Sequence, residues 1–211
     1  MCTRRSSRGY RRTRRHRLDL CLSPRQGNDV SDPQQAPTDL QLLDQWRAGD
    51  DDAGDTLLGR HFDSLCRFFR NKVDAGVDDL VQATMLRCVE KRDQFRQHSS
   101  FRTYLLVIAR NLLYDRLRSQ HRAPQAIDFS AVSLRDLGTS PSVGVARNER
   151  KQALMVALQT LPLEFQIVVE LTYWEGLNAT EVGEVLGIPG NTVRSRLSRA
   201  RKSLDAHLQD L

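Results

Sequence analysis

The sequence predicts an all-α protein built from two small helical domains that are joined by a flexible linker. Apolar residues recur at helical spacing through 38–120 and again through 146–211, and neither stretch alternates as a strand does. Between them, residues 121–145 lose this period and are rich in proline, glycine and serine. A connection of about 25 residues is long for the inside of one domain. We therefore expect it to join two domains.

The charge of the chain is uneven. The formal net charge is +6, and residues 1–17 alone contain eight arginines and no acidic residue. Such a balance favours polyanionic partners. Residues 1–37 show little apolar periodicity and are expected to form a disordered basic tail. A solvated tail is the simpler interpretation, a nucleic-acid-binding arm is the alternative, and a misassigned translation start is a third that mass spectrometry of the native protein would reveal.

Cysteine usage and hydropathy exclude several classes of protein. The four cysteines form no Cys-x-x-Cys pair and have no histidine at zinc-like spacing, so we predict no metal and no cofactor. Cys66 and Cys88 lie in apolar helical patterns, where buried thiols are expected, as suits a reducing compartment. No run approaches the roughly 18 apolar residues of a membrane span, and the basic N-terminal segment lacks the apolar stretch of a signal peptide. We expect a cytoplasmic protein without membrane insertion.

The N-terminal half is predicted to be a four-helix bundle. Thr38 can cap a first helix that ends near Gly49, and further helices are expected at 52–71, 77–92 and 101–120. Short connections between amphipathic helices are typical of a compact bundle. The period of the third helix places on its packed face the residues Leu80, Ala83, Thr84, Leu86 and Val89, together with Arg87.

The C-terminal half contains a helix-turn-helix pattern. After helices at 145–160 and 163–175, Asn178 can cap a short helix with Glu181 in a capping-box arrangement. This helix stops at Gly187, a tight turn follows, and Asn191 can cap the next helix. A short helix, a glycine-bearing turn and a longer helix form a helix-turn-helix.

The second helix of this motif has two distinct faces. At about 100° per residue its inward stripe consists of Val193, Leu197, Ala200, Leu204 and Leu208. The outer face carries Arg194, Ser195, Ser198, Arg199 and Lys202. An apolar back with outward arginines and small hydrogen-bond donors is what major-groove reading requires. The alternative is the solvated basic face of an ordinary helical hairpin.

The fourth helix of the N-terminal half combines basic, amide and aromatic side chains. Arginines hold a single-stranded backbone by charge, while rings stack on its bases. The spacing of Phe101 also suits the core, and Tyr104 either packs at the surface or contacts DNA. The residues concerned are Phe101, Arg102, Tyr104, Arg110, Asn111, Arg116 and Arg118.

The C-terminal motifs resemble those of extracytoplasmic function sigma factors. The matching runs are LP (161–162), YWEGL (173–177), EVG (181–183), LGIP (186–189) and TVRSRLSRAR (192–201). The family commonly has glycine at position 191 and alanine at position 183. Asn191 is a good cap, and Gly183 costs about 1 kcal/mol of helix propensity. The resemblance implies reading of the −35 promoter element by Thr192, Arg194, Ser195, Arg196, Ser198, Arg199 and Lys202.

The N-terminal motifs are similar to those of the same family. DDLVQAT (78–84) resembles the segment that grips the polymerase β′ coiled coil, which implies polymerase contacts by Asp78, Asp79, Leu80, Gln82 and Thr84. The two acidic residues also suit a helix N-terminus. FRTYLLVIARN (101–111) and DRLR (115–118) resemble the −10 recognition helix, preceded by a loop at 95–100 that could hold a flipped base. Family members melt promoters with this N-terminal domain.

The resemblance implies a transcription initiation factor. Its partners would be the polymerase core, through the β′ and β subunits, promoter DNA and an anti-sigma factor wedged between the two domains. An enzyme is disfavoured, because the sequence clusters no catalytic signature. The remaining alternative is a helix-turn-helix regulator that acts without polymerase core, with a ligand cavity in 38–120 and dimeric binding to a palindrome.

Overall fold

The computed structural model describes residues 36–95, 99–121, 127–139 and 149–209. The described residues contain eight α-helices and no strand, so the all-α prediction is confirmed. An isolated β-bridge joins Ser133 to Pro162. The predicted disordered tail and parts of the predicted linker lie outside the described residues.

Four helices precede the linker and four follow it. The N-terminal helices are α1 (Asp39–Arg47), α2 (Asp51–Arg70), α3 (Val77–Lys91) and α4 (Phe101–Gln120). A short 3-10 turn, Arg92–Gln94, follows α3. The C-terminal helices are α5 (Glu149–Gln159), α6 (Leu163–Tyr173), α7 (Ala179–Leu186) and α8 (Gly190–Gln209).

Local capping sets where the N-terminal helices begin. Thr38 forms a capping box with Gln41, and the Ser100 side chain accepts a hydrogen bond from the Thr103 amide at the start of α4. Each cap satisfies amide groups that have no partner within the helix. Asp50, one residue earlier than expected, caps α2 through the Ala53 amide.

The core of the N-terminal half forms where the apolar faces of α1 to α4 meet. Its fully buried side chains include Leu43, Leu57, Leu65, Phe69, Leu105, Leu113 and Leu117. The predicted packed face of α3 is only partly correct. Leu80 and Thr84 are buried, as is the thiol of Cys88 that was expected to be buried, but Leu86 is 59% and Val89 39% exposed, and Val81 is buried instead. The packed stripe of α3 is therefore rotated away from the one expected.

The C-terminal half packs α5, α6 and α8 around a second cluster. Its buried members are Ala157, Leu158, Leu161, Val169, Ala200 and Leu204. The inward stripe predicted for α8 is confirmed at Val193, Ala200 and Leu204, and Leu197 packs against the cluster. The side chain of Leu208 lies outside the described residues.

Part of the predicted linker is packed. Residues 127–139 are turn-rich, yet Phe129 and Leu134 are buried. The ring of Phe129 stacks on Tyr114 of α4 with centroids 4.2 Å apart, and the Phe129 carbonyl accepts a hydrogen bond from the Glu164 amide at 3.0 Å. This stretch therefore contacts both halves, while the flexibility of the whole linker stays a prediction.

The two helical halves also contact each other directly. Thr38–Leu211 forms one compact unit. Lys72, in the loop between α2 and α3, is fully buried against Glu170 of α6. Farther along α4, the Arg110 side chain donates a hydrogen bond to the Val185 carbonyl of α7 at 3.0 Å. These contacts join segments that the sequence analysis had assigned to separate domains.

Candidate nucleic-acid interface

The turn between α7 and α8 is held by local contacts. Asn178 and Glu181 form the predicted capping box, and Gly187 ends α7 in the left-handed conformation with φ 70°. Helix α8 begins at Gly190, so Asn191 lies within its first turn. The Asn191 side chain does not act as expected, since its Oδ1 accepts a hydrogen bond from Arg194 Nη1 at 2.7 Å. This contact orients an outward arginine rather than capping the helix.

Gly183 has a steric role in this turn. A Cβ atom at position 183 would lie 2.6 Å from the main-chain oxygen of Ile188, whereas one at Gly59 of α2 would meet nothing within 4 Å. The backbone of the turn therefore approaches α7 too closely for a side chain. The close approach explains why glycine occupies this position although it lowers helix propensity.

We expect Gly183→Ala and Gly59→Ala to change stability in opposite directions. The first overpacks the turn and should lower the free energy of unfolding by up to about 2 kcal/mol, because an overpacking cost of about 1–3 kcal/mol exceeds the propensity gain of about 1 kcal/mol. The second should raise it by about 0.5–1 kcal/mol. Urea denaturation of both variants measures the difference. Equal stabilisation by the two substitutions would contradict the close approach.

The outer face of α8 is open to solvent at most of the predicted positions. Arg194, Ser195, Ser198, Arg199 and Lys202 are all exposed. The guanidinium of Arg199 lies 5.2 Å from the ring centre of Phe165, and such stacking restricts a long side chain without neutralising it. Thr192 is partly buried. This face presents cationic and hydroxyl groups along one helix.

Arg196 is placed differently from its predicted neighbours. Its guanidinium forms an ion pair with Glu164 of α6 and lies 5.7 Å from the ring centre of Phe165. Only 13% of the side chain is exposed. Arg196 therefore ties α8 to α6, and it is not presented for DNA contact as the resemblance implied.

A cation outside the predicted set lies at the border of the same face. Arg201 is exposed, donates a hydrogen bond to the Tyr173 hydroxyl and stacks over that ring at 5.3 Å. Its position follows from the same helical angle as that of Arg194, seven residues earlier. The sequence pattern could have included it.

Five of the seven predicted −10 residues of α4 fall into three groups. The Phe101 ring is buried in the core, with its centre 5.6 Å from the centre of the His61 ring, so it is not accessible from solvent. Arg102 and Arg110 donate to acceptors of the C-terminal half. Asn111 and Arg116 are exposed.

Tyr104 and Arg118 lie beside aromatic rings. Tyr104 is half-buried, with its ring 5.0 Å from that of Phe95, and burial raises its pKa. The Arg118 guanidinium lies 5.4 Å from the Phe129 ring and 3.7 Å from Asp115. The loop expected to hold a flipped base is described only at its ends, since residues 96–98 lie outside the described residues.

The predicted polymerase-binding residues lie along α3. Asp78, Asp79 and Gln82 are exposed, whereas Leu80 and Thr84 are buried. The Thr84 hydroxyl donates to the Leu80 carbonyl at 2.7 Å, which satisfies it inside the helix. The exposed Leu86 and Val89 were not predicted, because helical spacing alone assigned them to the core. They extend the exposed surface of α3 with apolar side chains.

Within the described ranges, no group of three or more His, Cys, Asp or Glu side chains is arranged to hold a metal ion. Among the helices described, none is long and apolar enough to cross a membrane.

These features define a class of protein. An exposed basic helix in a helix-turn-helix, joined to a four-helix bundle that carries a second basic helix beside aromatic rings, is suited to bind nucleic acid at two places. Residues 57–123 match the family Sigma-70 region 2, and residues 151–204 match Sigma-70, region 4.

Curated relatives extend the similarity over most of the chain. The ECF RNA polymerase sigma-E factor of Salmonella typhimurium strain LT2 is 28% identical over 183 residues, which cover 82% of this chain and 96% of the relative. The factor of the same name from Escherichia coli K12 gives the same values. That of Haemophilus influenzae is 28% identical over 184 residues and is covered to 97%.

Two solved structures share the arrangement of helices. RpoE of Bartonella quintana, in complex with the anti-sigma factor NepR, has a TM-score of 0.62 and 24% identity; the match covers 74% of this chain and 96% of that one. CnrH, in complex with the cytosolic domain of CnrY, has a TM-score of 0.58 and 26% identity, covering 80% and 96%. The first likeness shows the fold alone.

The chain belongs to the extracytoplasmic function sigma factors of the sigma-70 family. It is a transcription initiation factor that associates with RNA polymerase core and binds promoter DNA. A helix-turn-helix regulator independent of core is not favoured, because the region 2 match covers the N-terminal half as well. Sigma factors as a class are non-enzymatic transcription factors.

Proposed function

We propose that three surfaces of this chain divide the work of initiation. Helix α3 docks on the β′ subunit of the polymerase core, α8 reads the −35 element as duplex, and α4 captures the opened −10 strand. The observation that carries the proposal is the exposed cationic face of α8 on one half of the protein and the basic, aromatic-flanked α4 on the other. Two DNA elements at a distance require two such surfaces.

The −35 assignment depends on side chains that are both charged and accessible. Arg194 and Arg199 are exposed near the start and middle of α8, with Ser195 and Ser198 between them. Arginine can donate two parallel hydrogen bonds to guanine or contact a phosphate. Lys202 lies one turn farther on, where it suits a backbone phosphate. Arg196, occupied by Glu164, would act by holding α8 in position.

The −10 assignment depends on the exposed part of α4. Asn111 and Arg116 can reach a strand directly, whereas Arg102 and Arg110 must first leave their present acceptors. Tyr104 offers a partly exposed ring for stacking. Phe101 would support this surface from the core.

The assignment of α3 to polymerase binding is supported by two exposed apolar side chains that the sequence analysis had placed in the core. Asp78, Asp79 and Gln82 give α3 a polar end, and Leu86 and Val89 add exposed apolar side chains on the same helix. A protein interface commonly surrounds apolar side chains with polar ones. The β subunit is proposed to contact the C-terminal half.

The remaining expectations fit the same role. We assign 38–120 to polymerase and −10 binding, 146–211 to −35 binding and 121–145 to the linker, with 1–37 as a basic tail. The protein would act in the cytoplasm, where polymerase meets the genome, and would leave the chemistry of RNA synthesis to the polymerase. An anti-sigma factor is proposed as a further partner; CnrH, to which this chain is similar, was solved in complex with the cytosolic domain of CnrY.

Run-off transcription from a genomic fragment library tests the proposed function. Purified polymerase core is supplied with and without the protein, and discrete transcripts should appear only in its presence. Their start sites then define the promoter sequence. The control is core with an unrelated sigma factor, which should give a different set of transcripts. An absence of core-dependent transcripts, together with tight duplex binding by the protein alone, would contradict the proposal.

A further inference from the structure

A buried carboxylate joins the two halves of the protein. Glu175 follows α6 and leads into the helix-turn-helix, yet only 4% of its side chain is exposed. Its Oε2 accepts a hydrogen bond from Ser64 Oγ at 2.7 Å, and its Oε1 accepts one from Arg67 Nε at 2.9 Å. Arg102 of α4 forms an ion pair with the same carboxylate. These partners lie 73 to 111 residues away in sequence.

The contact with Glu175 engages Arg102, which the proposed function assigns to DNA binding. Arg102 also donates from Nη1 to the main-chain oxygen of Glu175 at 2.7 Å, so both ends of its guanidinium serve one residue. Arg110, two turns farther along α4, donates to the Val185 carbonyl at 3.0 Å. A guanidinium that holds a buried carboxylate cannot at the same time hold a DNA phosphate.

The chemistry of the site is that of phosphate recognition. Two guanidinium groups and a hydroxyl surround one anionic group, and arginine binds carboxylates and phosphates with the same fork of donors. Burial lowers the pKa of Arg102, and the neighbouring Arg67 acts in the same direction. The two arginines therefore repel each other, and the carboxylates of Glu181 and Asp39 act in the opposite direction on Arg102. Glu175 is the carboxylate in direct contact with both guanidinium groups, and without it the closed arrangement loses that shared contact.

We propose that Glu175 is an intramolecular competitor for the promoter strand, which holds the −10 helix against the helix-turn-helix half until DNA or polymerase displaces it. This proposal rests on the proposed function, since it takes α4 to be the −10 surface. The free protein is then mostly closed. Its apparent affinity for single-stranded DNA is the affinity of the open form multiplied by the small fraction of molecules that are open.

Glu175→Gln tests the competitor directly in the full-length chain without polymerase. The probe is a fluorescein-labelled single-stranded DNA of mixed sequence, and the readouts are its anisotropy and the radius of gyration from small-angle X-ray scattering. Loss of a charge-assisted contact should open the protein, enlarge its radius of gyration and tighten binding by roughly tenfold. Glu175→Ala, which also removes the hydrogen-bond acceptors, should give the same directions and provides a second variant.

Glu184→Gln is the matched control. Glu184 is exposed on α7, so its replacement removes the same charge from the same half without touching α4. General electrostatics would tighten DNA binding equally in both variants, whereas the competitor predicts the larger effect for Glu175 alone. Equal binding by the Glu175 and Glu184 variants, with unchanged radii of gyration, would overturn the proposal.

Arg116→Ala separates this proposal from the proposed function. Arg116 is exposed on α4 and assigned to the −10 strand. In the Glu175→Gln background it should weaken single-strand binding several-fold. If it does so while Glu175→Gln gives no gain over the control, the competitor is wrong and the −10 surface stands. If Arg116→Ala has no effect, α4 is not the strand-binding surface and both proposals fail.

Discussion

Replacing Arg194 and Arg199 together with alanine is expected to reduce promoter-specific transcription by roughly a hundredfold or more. Each well-placed arginine contact to a base or its backbone contributes about 1–3 kcal/mol, and the two side chains are far enough apart for their effects to add. Both are exposed on α8, Arg194 oriented by Asn191 and Arg199 by the ring of Phe165. Run-off transcription with reconstituted holoenzyme measures the loss.

A charge-matched control separates base reading from general attraction to DNA. Arg135→Ala with Arg60→Ala also removes two positive charges, one from the linker and one from α2, which belongs to none of the proposed binding surfaces. This control should lower transcription less than threefold at moderate salt, in keeping with the loss of distant phosphate attraction. Comparable losses in the two double variants would mean that α8 does not read the −35 element.

Glu170→Leu is expected to lower the free energy of unfolding by about 3–5 kcal/mol, because it leaves a buried ammonium without its counter-charge. The Lys72 side chain is 0% and that of Glu170 3% exposed, and the two form an ion pair between the halves. Lys72 Nζ also donates to the Phe68 carbonyl at 2.6 Å, and Gln166 donates to Glu170 at 2.8 Å. Urea denaturation followed by circular dichroism measures the loss.

The loss of stability in Glu170→Leu should depend on pH in a defined direction. Burial lowers the pKa of Lys72, and the carboxylate of Glu170 opposes that shift. In Glu170→Leu no carboxylate raises the pKa of Lys72, so this pKa in the folded state falls further below its value in the unfolded state. The unfolded state then binds the proton more tightly, and stability rises with pH between the two pKa values. The variant should therefore recover part of its stability as the solution becomes alkaline.

The double variant Lys72→Met with Glu170→Leu is the control for this prediction. Replacing a buried ion pair by apolar side chains of similar volume is often nearly neutral. We expect it to regain most of the stability that Glu170→Leu loses and to show little of the pH dependence. A double variant as unstable as the single one would mean that packing around Glu170, rather than the unpaired charge, causes the loss.

The sequence identified the helices, because the signals for a helix are local. A capping box requires two residues spaced three apart, and this spacing occurs between Thr38 and Gln41 and again between Asn178 and Glu181. The inward stripe of α8 follows from its helical angle, since the residues that pack and the residues that face solvent repeat along the same segment. The exposed Arg194 and Arg199 could be predicted for that reason.

The tertiary structure decided which of these charged and apolar residues are accessible. Leu86 lies on α3 at helical spacing but outside the packed stripe, because the neighbouring helices determine which side of α3 is covered. Arg196 is taken by Glu164, and Arg102 by Glu175. Lys72 is a charged residue of ordinary appearance that becomes fully buried. Each of these outcomes depends on a partner from another helix or loop, and helical period carries no information on how separate helices pack.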